Sequence, residues 1–141
     1  NRGNENSWFF SYAANFNQLL FACYLGVATV GYSAMEKLFV YGTLGPNCPN
    51  EHVLTVIGGS WEAATITGKL RAEGWGAEMG YPGITITEHG DKIEGFIFSS
   101  DNFFNHWARL DAFEGDGYCR VLAKVQVNDG SKAEAYVYVL R

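Results

Sequence analysis

The sequence predicts an α+β domain built mainly from strands. Seventeen glycines stand against three prolines, which is typical of a chain with many tight turns rather than long helices. Short apolar runs rich in β-branched residues are separated by turn signals and have the length of strands. One later stretch instead carries aromatic and leucine side chains at helical spacing. We therefore expect about six strands and two helices in a single domain.

The predicted strands are short runs of apolar or alternating residues, at positions 37–41, 63–70, 84–88, 92–98, 118–127 and 133–140. His89-Gly90-Asp91 lies between the third and fourth of these runs. Asn128-Asp129-Gly130 lies between the fifth and sixth. Both triplets have the composition of tight turns, so the sequence predicts two β-hairpins.

Two helices are predicted between the strands. Asn50 is placed to cap a short helix over residues 51–57, which ends at Gly58. Asp101 is placed to cap a second helix that runs to about residue 113. One broad apolar face is expected on this second helix, formed by Phe103, Phe104, Trp107, Leu110 and Phe113. Residues 71–83, rich in glycine and aromatic side chains, are expected to form a loop.

Composition narrows the class of protein. An apolar fraction of 48% and a charged fraction of 18% indicate a globular chain with a proper core. A formal net charge of −5 without any basic run argues against nucleic acid as a partner. Cys23, Cys48 and Cys119 are odd in number and form no C-x-x-C pair, which favours buried thiols in a reducing, cytoplasmic compartment.

Residues 1–34 differ from the rest of the chain, because positions 6–35 carry no charged side chain. A signal peptide is one interpretation, although the basic segment before it is poor. A membrane span is another, but three amide side chains shorten the apolar run below about 20 residues. The third, which we favour, is an upstream extension, natural or added, before a domain that begins at Met35. No membrane association is expected for residues 35–141.

Two segments carry candidate chemistry. Residues 41–44 follow the first strand and form a glycine turn, whose backbone N–H groups can bind a carboxylate or a developing negative charge. Glu114 ends the second predicted helix and is a candidate base. No Ser- or Cys-based triad is present. Metal binding is not expected, because no ligand spacing relates the three histidines, His52, His89 and His106.

Four segments together resemble a known family. They are Y-G-T-L at 41–44, Y-P-G-I at 81–84, L-D-A-F-E-G at 110–115 with Tyr118 and Arg120 after it, and the terminal strand around 135–139. In this order they make residues 35–141 similar to the γ-glutamylcyclotransferase-like family, including small bacterial members and γ-glutamylamine cyclotransferases. The resemblance implies a small mixed β-barrel flanked by helices, with a cavity at the end of the first strand.

The resemblance also implies an activity. Members cyclise a γ-glutamyl group to 5-oxoproline and release an amine or amino acid, chemistry that belongs to γ-glutamyl and glutathione metabolism and uses no cofactor. Glu114 matches the family's general acid/base. The resemblance assigns a small-molecule substrate to a site formed by Tyr41, Gly42, Thr43, Leu44, Tyr81, Pro82, Gly83, Tyr118 and Tyr136. The leaving group and the oligomeric state stay open.

Several residues near this site have alternative roles. The helix C-terminus and Asp116 are expected to raise the pKa of Glu114. Arg120 is expected to pair with a carboxylate such as Asp111 rather than with substrate. Trp75 lies between two glycines and is a candidate lid over the leaving group. Tyr118 and the Tyr81-Pro82-Gly83 segment fit a structural role equally well.

Two other classes of function remain. The same glycine turn and aromatic loop would serve a non-catalytic domain that binds a small γ-glutamyl compound. The uncharged residues 1–34 are compatible with an interaction or membrane-tethered protein. The presence of Glu114 in the complete L-D-A-F-E-G segment favours the enzyme.

Overall fold

The computed structural model describes residues 34–141, and the predicted extension lies outside this part apart from its last residue. The described chain contains six strands, two α-helices and two short 3₁₀ helices. In order they are β1 (Glu36–Val40), α1 (His52–Thr55), β2 (Ser60–Arg71), a 3₁₀ turn (Ala77–Met79), β3 (Gly83–Ile86), β4 (Asp91–Ser100), a 3₁₀ turn (Phe103–Asn105), α2 (Trp107–Glu114), β5 (Tyr118–Val127) and β6 (Lys132–Leu140).

Five of the strands close into a barrel. The sheet order is β3-β2-β4-β1-β6-β5, and β2 also pairs with β5, which joins the two ends of the five-strand run β2-β4-β1-β6-β5. Strands β1 and β6 are parallel, and the other neighbours are antiparallel. β3 is the one strand outside the closed circuit of the described chain. The mixed barrel expected from the family resemblance is confirmed.

The core lies on both faces of the barrel wall. Successive residues of a strand point to opposite faces, and β1 shows this directly. Phe39 packs with residues of all five barrel strands, such as Ile97 and Val137, and fills the barrel interior. Leu38 and Val40 instead pack outside, against a layer that includes residues of α1 and α2, among them Leu54 and Leu110. The helices thus cover the outer face beside β1.

One of the two predicted hairpins is confirmed and the other is wrong. β5 and β6 pair antiparallel around the 128–131 turn, as predicted. β3 and β4, however, both pair antiparallel with β2. They therefore run in the same direction, and residues 87–90 connect two segments along β2 instead of reversing the chain. His89-Gly90-Asp91 has the composition of a turn, but composition does not determine which strand β4 pairs with after the turn.

Both helices differ from their predicted limits. α1 is a single turn, and its first turn has no side-chain cap, so Asn50 does not cap it. The second predicted helix is divided into a 3₁₀ turn and α2. At its start the Ser100 hydroxyl, and not Asp101, accepts a hydrogen bond from the Asn102 N–H. Phe104 lies in the 3₁₀ turn, and its side chain is 70% exposed instead of belonging to the expected apolar face.

Two further expectations concern thiols and membranes. Cys48 and Cys119 are free thiols, and they are half-buried where buried thiols were expected. Cys23 lies outside the described residues. Within residues 34–141, none of the helices has the length and apolarity needed to cross a membrane.

Candidate active site

A small cavity of about 50 Å³ lies where β1 ends, with room for a few water-sized groups. Four parts of the chain supply its walls: the end of β1 with the following turn (39–44), the 71–83 loop (Trp75, Gly76, Tyr81 and Pro82), the last residue of α2 (Glu114), and strands β5 and β6 (Tyr118 and Tyr138). The segments singled out in the sequence therefore meet in one place.

The turn after β1 lines the cavity and has backbone donors that the described chain leaves unused. Its own hydrogen bonds run from the Gly45 N–H to the Gly42 carbonyl and from the Asn50 N–H to the Thr43 carbonyl. Within the described chain, no hydrogen bond uses the N–H groups of Gly42, Thr43 or Leu44 as donor. Three consecutive unused N–H groups in a turn can bind an anion.

Gly42 leaves the turn without a side chain where it lines the cavity. Its φ is not positive, so the turn does not require the left-handed conformation there. A Cβ atom on Gly42 would lie 3.8 Å from the Cβ of Tyr81, at ordinary contact distance. Because both residues line the cavity, the missing side chain leaves space for a ligand against the backbone.

Glu114 brings an ionisable group into this cavity. Burial raises the pKa of its carboxyl from 4.5 to about 7. Within residues 34–141 no donor lies within hydrogen-bond distance of the carboxylate. Loss of hydration is therefore the cause of the raised pKa. The helix end and Asp116 were expected from the sequence to raise this pKa, but Asp116 is exposed and burial alone accounts for the shift.

Tyr41 holds the cavity wall together through its hydroxyl. The hydroxyl donates to the Tyr138 carbonyl at 2.8 Å and accepts from the Ile84 N–H at 3.0 Å. It thereby links β6 to β3. Burial, as the largest cause, raises the pKa of Tyr41 far above its ordinary value, so this hydroxyl stays neutral. Tyr41 lines the cavity with its ring, while its polar atom is already engaged.

Tyr138, and not Tyr136, is the β6 tyrosine that lines the cavity. The parallel register sets Leu38 beside Tyr136, so Tyr138 lies at the level of Val40, where β1 ends. Tyr136 packs farther down, 5.0 Å from the ring of Trp107. The sequence could not have shown this, because the register of β6 on β1 is a long-range feature.

An ion pair supports Tyr138 from outside the cavity. Its hydroxyl donates to Asp111 at 2.7 Å, and the same carboxylate accepts from Arg120 at 2.9 and 3.3 Å. The predicted Arg120–Asp111 pair is confirmed. The Arg120 guanidinium also lies 4.1 Å from the centre of the Trp107 ring. The pair thus joins α2 to β5 and β6 and fixes the end of α2 near the cavity.

Tyr118 and the 71–83 loop close the remaining side. Tyr118 is buried, lines the cavity and interacts through its hydroxyl with the Gly76 N–H. Burial, as the largest cause, raises its pKa above the ordinary value. Pro82 also lines the cavity, whereas Gly83 does not, because it packs in β3 against Leu140. Gly76 also lines the cavity; it was not among the predicted site residues, although it flanks Trp75 in the segment recognised as a candidate lid.

No metal site accompanies the cavity in the described residues. Across positions 34–141, no three His, Cys, Asp or Glu side chains are grouped closely enough to hold an ion. Among the cavity-lining residues of the described chain, Glu114 carries the only carboxyl side chain, and none is a lysine or an arginine. A ligand carboxylate at this cavity would therefore be held by neutral donors, such as the backbone N–H groups of the turn and the Thr43 hydroxyl.

Residues 38–141 match the family model described as gamma-glutamyl cyclotransferase, AIG2-like. The match covers most of the chain, so the protein belongs to this family, as the resemblance indicated. No curated protein sequence matches the chain.

Solved structures share the fold. YkqA from Bacillus subtilis is similar at a TM-score of 0.60 and 27% identity, over 77% of this chain and 36% of YkqA. An AIG2-like protein from Mus musculus is similar at a TM-score of 0.59 and 26% identity, over 74% of this chain and 76% of the mouse protein. The chain thus spans only about a third of YkqA. A structure titled gamma-glutamyl cyclotransferase, at a TM-score of 0.50 and 13% identity, shares the fold alone.

Proposed function

We propose that this protein is a γ-glutamyl cyclotransferase that converts a γ-glutamyl amine or γ-glutamyl amino acid to 5-oxoproline and the free amine. One observation carries the proposal: a half-buried carboxyl with a pKa of about 7 lines the same cavity as a turn with three unused backbone donors. Family membership supports the same reaction class. A general acid/base works best when its pKa lies near the operating pH.

The reaction is an intramolecular acyl transfer. The α-amine of the substrate attacks its own γ-carbonyl carbon, a C–N bond forms, and the carbonyl oxygen becomes negatively charged. The tetrahedral intermediate then collapses, the bond to the leaving nitrogen breaks, and that nitrogen takes up a proton. The protein needs no covalent nucleophile, because the substrate supplies its own.

Glu114 is proposed to move the proton. Its ionised carboxylate removes a proton from the α-ammonium group, which makes the amine nucleophilic. The resulting carboxylic acid then gives that proton to the leaving nitrogen. The ionised side chain next takes the second proton from the attacking nitrogen and passes it to the released amine, so that it returns to its starting state. A single carboxyl can serve both steps because its pKa of about 7 keeps both forms accessible near neutral pH.

The turn at 42–44 is proposed to hold negative charge. Its unused N–H groups are placed to bind either the α-carboxylate of the glutamyl group or the developing oxyanion. Tyr81 and Tyr118 supply flat walls that keep the glutamyl chain folded. Holding amine and carbonyl together contributes up to about 7–11 kcal/mol in favourable intramolecular reactions.

The test is release of 5-oxoproline from a panel of γ-glutamyl amino acids, γ-glutamyl-ε-lysine and glutathione. We expect release by the wild type, with one free amine formed for each 5-oxoproline. Glu114→Gln protein, purified in parallel, controls for contaminating enzymes. A folded wild-type protein that binds these compounds but releases no 5-oxoproline from any of them would contradict the proposal and identify a binding domain.

A further inference from the structure

The last residue of α2 is held by a side chain from a distant loop. The final carbonyl groups of a helix have no partner within the helix, and the Glu114 carbonyl is one of them. It accepts a hydrogen bond at 3.1 Å from the indole N–H of Trp75, which lies 39 positions earlier in the chain. The main chain of the proposed catalytic residue is therefore fixed from outside its own helix.

The Trp75 ring makes a second contact with the same end of the helix. It meets the Phe113 ring edge to face, with centroids 5.6 Å apart and planes at 89°. The indole also lines the cavity into which Glu114 brings its carboxyl. At 42% exposure the ring lies between the cavity and solvent. It thus touches both Phe113 and Glu114 at the edge of the cavity.

The loop that carries Trp75 is itself anchored on cavity residues. Gly74 has a φ of +89°, and a Cβ there would overlap the Tyr118 hydroxyl. The Gly76 N–H interacts with that hydroxyl, and the Gly76 carbonyl accepts from the Tyr81 N–H at 2.9 Å. The glycines on both sides of Trp75 thus let the loop lie directly on Tyr118 and Tyr81, which fixes where the indole points.

We propose that Trp75 is a positioning residue for Glu114. The indole hydrogen bond and the contact with Phe113 hold the last turn of α2 so that the carboxyl of Glu114 stays inside the cavity and shielded from water. This role is distinct from that of a lid over the leaving group, because it acts through the main chain of Glu114. Its catalytic consequences rest on the proposed function, whereas its structural consequence does not.

Other ionisable groups around Glu114 do not account for its environment. Tyr41 at the end of β1, Tyr118 on β5 and Tyr138 on β6 face it, and burial raises the pKa of each, so all three stay neutral near pH 7. Asp111 on α2 and Arg120 on β5 form an ion pair with each other. Burial of the Glu114 carboxyl is therefore the factor that controls its pKa. In the proposed role, Trp75 contributes to this burial.

Two substitutions separate the contributions of the indole. Trp75→Phe keeps an aromatic ring but removes the hydrogen bond donor, and we expect kcat to fall about threefold to tenfold with KM within about twofold. Trp75→Ala removes ring and donor and should lower kcat further. Trp107→Phe is the matched control. Trp107 lies on α2 outside the cavity, and the substitution removes an indole hydrogen bond of similar length, 3.0 Å to Glu36.

The titration of Glu114, followed by NMR on protein with ¹³C-labelled glutamate carboxyls, tests the proposal without any substrate. The resonance is assigned by its loss in Glu114→Gln. We expect a midpoint near pH 7 in the wild type and in Trp107→Phe. In Trp75→Ala we expect it at least one pH unit lower, because water then reaches the carboxyl.

A wild-type midpoint in Trp75→Ala, together with wild-type kcat in Trp75→Phe, would overturn the positioning role. Absence of 5-oxoproline release by the wild type would overturn the proposed function instead, while the NMR titration would still decide the role of Trp75.

Discussion

Burial of Glu114 predicts how the stability of the protein depends on pH. Its carboxyl ionises at about pH 7 in the folded protein and at about 4.5 in the unfolded chain. Between these values the folded state keeps a proton that the unfolded state has lost. The stabilising contribution of this group is therefore fully present below pH 4.5 and is lost as the pH rises through 7.

The expected magnitude follows from the two pKa values. A difference of about 2.5 pH units, at about 1.36 kcal/mol each, corresponds to about 3 kcal/mol of unfolding free energy. Glu114→Gln removes the titration and keeps the shape of the side chain. Its unfolding free energy relative to the wild type should therefore increase by about 3 kcal/mol between pH 4.5 and pH 8.5.

Urea denaturation at several pH values measures this difference directly. With m-values of about 1–3 kcal/mol/M, the separation of the two midpoints should change by about 1–3 M over this range. Asp116→Asn is the control, because Asp116 is exposed two residues farther along and loses the same charge. Stability curves for the wild type and Glu114→Gln that stay parallel from pH 4.5 to 8.5 would refute the argument that the carboxyl is buried.

Three further predictions test the cavity and its supports. Gly42→Ala should change the unfolding free energy by no more than about 1 kcal/mol. It should raise KM severalfold, because the added Cβ points toward Tyr81 on the opposite cavity wall. An unchanged KM would argue against close approach of the ligand to the Gly42 backbone. Gly74→Ala should destabilise the fold by at least about 1–3 kcal/mol through its positive φ and its overlap with Tyr118, which thermal unfolding measures. Tyr138→Phe should cost about 1 kcal/mol by removing the hydroxyl bound to Asp111, and equal stability of the two proteins would show that this bond contributes nothing.

Local motifs in the sequence brought the residues of the candidate site together, and their roles stay predictions. Glu114, the 41–44 turn, Tyr81, Pro82 and Tyr118 all come from local motifs, and all line one cavity. Trp75 was recognised as a candidate lid, but its hydrogen bond to Glu114 was not foreseen. That bond joins residues 39 positions apart, and no local pattern records which carbonyl an exposed indole will reach.

Other features depended on long-range geometry. The composition of residues 89–91 indicates a turn, yet the pairing of both β3 and β4 with β2 decides that it is not a hairpin. Tyr136 and Tyr138 have the same parity on β6, so only the register against β1 determines which one reaches the cavity. The raised pKa of Glu114 was predicted in direction but from another cause, because burial is not visible in sequence.

The most direct test of the account is the turnover of Glu114→Gln on the substrate that the wild type prefers, with binding of 5-oxoproline measured on the same samples. The account predicts that kcat falls by at least about 10²–10⁴-fold, the range typical of general acid/base loss, while binding and fold are retained. Undiminished turnover by Glu114→Gln would show that another group moves the proton and would contradict the central claim.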